Sequence, residues 1–314
     1  MESNIERWFP GPTHRVSGSI AFQLAANNHL FSYTSYVNCV KILVTNDDGI
    51  DSEGLHVLAH HMTGFGEVIV VAPDSEYSGA GAALGPIHLT SPEVRRRKIG
   101  GLSEVWTVAG PPALCAMFAR LGTFGEIDFI VSGINPGANV GRSVYHSGTV
   151  GATLTGRNAG IPGLAVSQSV RGLGTENQSW TDAIVGQKWH SAAQVAGHVF
   201  EAMTSDIHLD TPVVNLNVPN LEISEMNGWK FTELGEEPPR GISKIELQGV
   251  PTDPDAYTVD MTWADAVLKE LPAMSDTGAI LHDFISVSYL SRIKAVASPD
   301  SSSMPDALNS LFQD

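Results

Sequence analysis

Along residues 41–219 the chain repeats one rhythm: a short β-branched or aliphatic run, a polar loop, then a segment of helical character. Such alternation argues for repeated βαβ crossovers and a mainly parallel sheet covered on both faces. The pattern predicts strands at 42–45, 67–72, 105–109, 129–132, 164–167 and 213–216, and helices at 53–62, 112–121, 150–158 and 180–203. The expected fold class is therefore α/β, a doubly wound, mainly parallel sheet. After Pro219 the rhythm loosens into Pro- and Gly-punctuated extended stretches at 230–234, 245–250, 257–261 and 284–289, which predict a C-terminal β-hairpin or arm.

Residues 1–38 show no sustained period and are expected to be a poorly ordered extension without a core of its own. A translation start near Val37 or Val40 would leave them out, a hypothesis that native peptides from residues 1–36 would refute. Residues 39–314 are expected to form one domain, with a core at 41–219, an extended arm region at 220–297 and a Ser/Asp-rich tail at 298–314.

Composition narrows the partners. Lys+Arg of 18 against Asp+Glu of 34 gives a formal charge of −16, the wrong sign for holding a nucleic-acid polymer through its phosphates. A small anion would need a metal, a helix N-terminus or a few placed basic groups to bind against that field. No apolar run approaches the roughly 20 residues of a membrane span, so no membrane partner is expected. Cys39 and Cys115 form no close-spaced pair, which argues against a disulfide framework or zinc cluster and points to a cytoplasmic location.

Four polar loops carry candidate chemistry. Val40 to Thr45 runs as a strand into Asn46-Asp47-Asp48-Gly49. Successive strand residues point to opposite faces, so Asp47 and Asp48 can share a ligand only if the chain bends, which Gly49 permits. Two convergent carboxylates suit a hard divalent cation; an ordinary acidic turn is the plainer alternative. The second loop, Asp74-Ser75-Glu76-Tyr77-Ser78-Gly79, follows the next strand. A third, Ser132-Gly133-Ile134-Asn135-Pro136-Gly137-Ala138-Asn139, is either a ligand-binding loop or a turn-rich connector. In the fourth, Ser147-Gly148-Thr149 opens an apolar helix, either as an anion site built from helix-start amides and hydroxyls or as simple capping by Ser147. In a doubly wound sheet such loops open on one edge and can converge there.

In order, these segments resemble the SurE family of metal-dependent 5′/3′-nucleotidases, over residues 41–219 and again near 275–290. The resemblance implies that Asp47, Asp48, Ser78 and Asn135 bind one divalent metal, Mg²⁺ or Mn²⁺, and that Asn46, Asn139, Ser147, Gly148 and Thr149 line a phosphate pocket. It also implies a homodimer or homotetramer assembled through an exchanged C-terminal arm. The expected activity is hydrolysis of nucleoside 5′- or 3′-monophosphates, a small phosphomonoester substrate. A phosphatase for a specialised non-nucleotide metabolite and a non-catalytic metal- or nucleotide-binding protein are the alternatives. Asp47 and Asp48 are the expected catalytic residues, with Asp47 the favoured base because its neighbour is then free to serve the metal.

Other residues invite attention. His56 and His60 have a chelating spacing but no accompanying metalloprotease motif, and read as a solvated helix face. His146 is placed to donate a proton to a leaving group, with packing the plainer role. Arg95-Arg96-Arg97-Lys98 reads as a solvated edge. Where the family pattern runs Gly-Thr-Pro-x-Asp-Cys, this chain has Gly110-Pro111-Pro112-Ala113-Leu114-Cys115, and Glu233 stands where relatives tend to place an arginine. Both departures bear on the substrate's leaving group.

Overall fold

Strand β1 (Lys41–Thr45) occupies the middle of a nine-stranded sheet because its residues, bar the first, are buried and aliphatic or small. The computed structural model describes residues 40–170, 184–205, 212–236, 242–263, 271–291, 293, 295 and 303–312. From β1 the chain passes through helix α1 (Glu53–Met62) to strand β2 (Glu67–Pro73), which pairs parallel to β1. Strands β3 (Val94–Arg96) and β4 (Glu104–Val108) continue outward, β4 parallel to β2 and β3 antiparallel at the edge. Helix α2 (Pro112–Arg120) then returns the chain to strand β5 (Phe129–Pro136) on the other side of β1. Helix α3 (Gly148–Arg157), strand β6 (Gly163–Gln168), helix α4 (Trp189–Ser205) and strand β7 (Val213–Val218) complete the parallel part.

The alternation of strand side chains divides the core into two layers. Ile42 and Val44 pack with Leu55 and Leu58 of α1 and Phe200 of α4 on one face. Leu43 packs with Leu114 of α2 and Ala152 of α3 on the other. Each fully buried Leu or Ile contributes about 1.5–3 kcal/mol relative to exposure. Both faces are therefore covered, as the short apolar runs predict.

The C-terminal third differs in detail from the sequence reading. Strand β8 (Trp229–Phe231) and strand β11 (Ile285–Leu290) join the main sheet, with β11 antiparallel to β7 and parallel to β8. The stretch at 284–289 thus finishes the sheet, because its buried Val287 and Leu290 find a place beside β7. The expected hairpin is β9 (Ile242–Val250) with β10 (Asp253–Trp263), a separate two-stranded sheet. Of two short helices, α5 (Asp276–Leu281) was not anticipated because it is too short to display a period, while α6 (Ser303–Asn309) is the one short helix that the tail's sequence allows.

Helix α4 begins at Trp189, and residues 184–188 form a turn and its exit. Gly186 adopts φ of 81°, and Asn220 Oδ1 accepts from the Lys188 N–H at 2.8 Å, supplying an acceptor at the helix start. Residues 180–183 of the predicted helix lie outside the described residues, as does the extension at 1–38. The basic run forms edge strand β3 and its exit. Arg95 and Arg96 pair with Glu93 and Glu104, and Arg97 reaches Asp51 at 2.8 Å. Charged edges of this kind discourage pairing with another strand.

Candidate active site at the switch point

The strand order reverses between β1 and β5: β2 and β4 lie to one side of β1, and β5, β6 and β7 to the other. The crevice beyond the C-terminal ends of such a strand pair is where doubly wound sheets bind ligands. The loop after β1 carries Asp47 and Asp48, and the C-terminal end of β5 carries Asn135, from strands in register at Thr45 and Ser132. The peptide between Gly133 and Ile134 is cis, and Gly133 has φ of 137° with the Val166 carbonyl oxygen 2.2 Å from where a Cβ would sit. A side chain there would displace β6, so the loop's path requires glycine.

Asn46 braces the first turn. Its Nδ2 donates to the Gly49 carbonyl at 3.1 Å and to Ser52 Oγ at 2.7 Å, and Ser52 caps α1. Its buried Oδ1 has no hydrogen-bond partner. His56, one of the spaced histidines, bonds the Ile50 carbonyl at 2.8 Å and supports the same turn, while His60 is exposed. Among the described residues no three His, Cys, Asp or Glu side chains converge as a metal cluster.

Asp47 is buried and reaches across to α3. Gly148 N–H donates to its Oδ2 at 3.0 Å, and Thr149 Oγ1 donates to its Oδ1. Two donors at the helix start, which the sequence offered for a phosphate, are thus directed at this carboxylate. Ser147 caps the helix, accepting from Val150 N–H at 3.1 Å. Gly148 allows the approach, since a Cβ there would lie 2.7 Å from Asp47 Cβ and 2.9 Å from Pro112 Cγ. Pro112 is part of the apolar helix entry, so Pro111 to Leu114 form a buried wall beside the fourth loop.

Asp48 lies beside this pair with its buried Oδ2 unpartnered. Burial, the charge of Asp47 and the charge of Glu76 together push its pKa up to about 8. Burial raises Asp47 as well, with the Thr149 hydrogen bond acting in the opposite direction. Glu76 belongs to the second loop, which is anchored here because Tyr77 N–H donates to the Asp47 carbonyl at 2.7 Å. Ser78 follows on that loop, exposed, its N–H donating to Glu76 Oε1 at 2.9 Å. The loop then packs against the fourth through Gly81 N–H and the His146 carbonyl, 3.0 Å apart. The His146 side chain is exposed.

Asn135 donates through Nδ2 to the Gly137 carbonyl at 2.7 Å, so of its two amide atoms only Oδ1 could face a cation. Asn139 is buried in a network: its Nδ2 donates to Ser167 Oγ, and its backbone bonds Asn215 and Asn217 of β7. Sequence reading missed both of these asparagines. Their signal was present, because Asn215-Leu216-Asn217 places two polar residues on one face of a buried strand. Asp276, also missed, accepts from Gly141 N–H at 2.7 Å and Gly235 N–H at 2.8 Å, joining the end of the third loop to the segment after Glu233. Glu233 itself projects to solvent. No local pattern marks Asp276, whose partners lie far away in sequence.

Fold and site define a doubly wound α/β protein with an acidic pair and a helix N-terminus meeting at the switch point. The chain belongs to the SurE family: the family model described as Survival protein SurE matches residues 42–240. It is 31% identical over 249 residues to 5′-nucleotidase SurE of Haemophilus influenzae (strain PittGG), a match covering 79% of this chain and 90% of that one. To 5′-nucleotidase SurE of Coxiella burnetii (strain Dugway 5J108-111) it is 35% identical over 200 residues, covering 62% and 69%. The crystal structure of the SurE protein from Aquifex aeolicus matches with a TM-score of 0.64 at 26% identity, over 87% of this chain and 100% of that chain.

Proposed function

We propose that the protein is a metal-dependent phosphomonoesterase acting on nucleoside 5′- or 3′-monophosphates. Relatives named 5′-nucleotidase support the activity, and the observation that carries it is buried Asp47, bonded to the start of α3, beside half-buried Asp48. The residues fit a hard divalent cation such as Mg²⁺ or Mn²⁺. Asp48 has a buried oxygen without a partner, and Asn135 has its amide nitrogen committed elsewhere. The available donors there are oxygens rather than sulfur or imidazole. Asp47, Asp48, Ser78 and Asn135 would hold the ion, which would neutralise charge on the phosphoryl group.

The chain's own residues supply the rest. Gly148 N–H and Thr149 fix the orientation of Asp47, so its charge stands at a constant place beside the phosphate pocket. Ser147, Gly148, Thr149, Asn46 and Asn139 line that pocket in this reading, and the dipole of α3 favours the anion. Asp48 is better suited than Asp47 to take the proton of the attacking water, because both oxygens of Asp47 accept bonds from α3 while Asp48 Oδ2 has no partner. His146, exposed where the second and fourth loops meet, is a candidate proton donor to the leaving oxygen. A cytoplasmic location belongs to the same reading, supported by the buried free thiol of Cys115.

Assembly as a homodimer or homotetramer is supported by two exposed apolar surfaces. On the β9–β10 hairpin, Leu247 pairs with Val259 and Ile245 with Met261, all exposed on one face. A two-stranded hairpin is marginally stable without a surface to pack on. A second surface is a groove of about 790 Å³ lined by Val199, Trp229, Phe231 and Tyr289.

A phosphate-release screen over nucleoside monophosphates, sugar phosphates and polyphosphate tests the substrate. Preference for a nucleoside monophosphate supports the proposal. Preference for a non-nucleotide ester would favour the specialised-metabolite reading, to which the apolar wall at Pro111 to Leu114 gives weight. No release from any ester would leave a binding protein.

A further inference from the structure

The segment that carries Asn135 and leads into α3 is held from behind by β7. Asn215 and Asn217 stand two apart on that strand, project from one face and are fully buried. Asn217 Oδ1 accepts from the backbone N–H of Asn139 at 2.7 Å, and its Nδ2 donates to the Asn139 carbonyl at 3.1 Å. Asn215 Nδ2 donates to the same carbonyl at 2.9 Å. Both polar groups of one backbone residue are thereby fixed by two side chains of a strand in the sheet. Two residues earlier, Gly137 N–H donates to the Gln168 carbonyl at 2.7 Å, and the Gly137 carbonyl receives Asn135 Nδ2.

Burying two primary amides is costly unless they are hydrogen-bonded, and their neighbours Val214 and Leu216 face the apolar core. The bonds to Asn139 satisfy three of the four side-chain polar atoms, Asn215 Oδ1 having no hydrogen-bond partner, and in doing so specify the loop. We propose that Asn215 and Asn217 are positioning residues: they clamp the Asn139 backbone and, through it, set Asn135 Oδ1 and the entry to α3. Asn217 makes two of the three backbone bonds, so its loss is the larger. This inference rests on the reading of the site as a cation-dependent phosphatase.

The test is Mn²⁺ affinity, measured by calorimetry on the full chain, alongside phosphate release as a function of Mn²⁺. Asn217→Ala is expected to weaken Mn²⁺ binding about tenfold or more, the range typical when a group supporting a metal ligand is removed. Asn215→Ala is expected to weaken it less. Asn217→Asp keeps the acceptor for the Asn139 N–H while losing the donor, and is expected to fall between Asn217→Ala and the parent protein. A merely structural role would lower the melting temperature and leave the Mn²⁺ affinity of the folded protein unchanged. If Asn217→Ala fails to fold, the other two variants decide. Folded Asn215→Ala and Asn217→Asp proteins that both bind Mn²⁺ within twofold of the parent would overturn the clamp while leaving the phosphatase reading intact. A parent protein that neither binds Mn²⁺ nor releases phosphate would overturn the phosphatase reading, and the clamp with it.

Discussion

Asp48 is a half-buried carboxylate beside Asp47 with Glu76 close enough to act on it, and without metal its pKa is pushed up to about 8. An unfolded chain would release that proton near pH 4. Between those values the folded state holds a proton that the unfolded state lacks, so the metal-free protein loses stability as pH rises from about 4 towards 8. The slope approaches ~1.4 kcal/mol per pH unit for one such group. Urea melts in chelator at pH 6 and pH 8 should therefore show the protein weaker at pH 8, and added Mn²⁺ should restore more stability at pH 8 than at pH 6. Asn in place of Asp48 removes the charge with little change in shape. Asp48→Asn should lower phosphate release by about a hundredfold or more, since it removes both a candidate ligand and the candidate base. In chelator at pH 8 it should melt no lower than the parent. A large loss of both activity and stability would mean that Asp48 acts by holding the fold.

Helix α3 links the acidic pair to the anion pocket, and its first turn serves both. Thr149→Val removes the hydroxyl that orients Asp47 while keeping the side chain's volume. The expected stability cost is about 1 kcal/mol from denaturant melts, with a disproportionate fall in kcat because Asp47 loses its orientation. Equal effects on folding and rate would make Thr149 a packing residue. The helix start was legible in sequence because Ser147-Gly148-Thr149 is a local capping signal. Asp47 as a partner of that helix was not, since the bond spans 101 residues and local patterns carry no information about it. Asp47-Asp48-Gly49 reads locally as an acidic turn, and becomes candidate chemistry only together with the other three loops. Likewise, 284–289 reads as an arm locally, and only the pairing of Val287 and Leu290 beside β7 makes it part of the sheet.

At the scale of the molecule, the parallel sheet and its two helical layers follow from the alternation of apolar runs and helices, which a single sequence displays openly. The reversal of strand order at β1 does not, because nothing in β1 or β5 states which neighbour it takes. That reversal places the four loops on one crevice. The hairpin stands apart from this sheet, with an apolar face turned to solvent. Replacing residues 242–263 by a short Gly/Ser linker should reduce the species measured by light scattering to a smaller oligomer, with the main fold intact by circular dichroism. An unchanged mass would remove the hairpin from the assembly. The proposed function requires one site acting on one kind of bond. Phosphate release from a nucleoside 5′-monophosphate, followed with Mn²⁺ and then with excess chelator, tests it most directly. Release that requires Mn²⁺ and stops with chelator is the predicted result; release that continues at the same rate in chelator, or none with Mn²⁺ present, would contradict it.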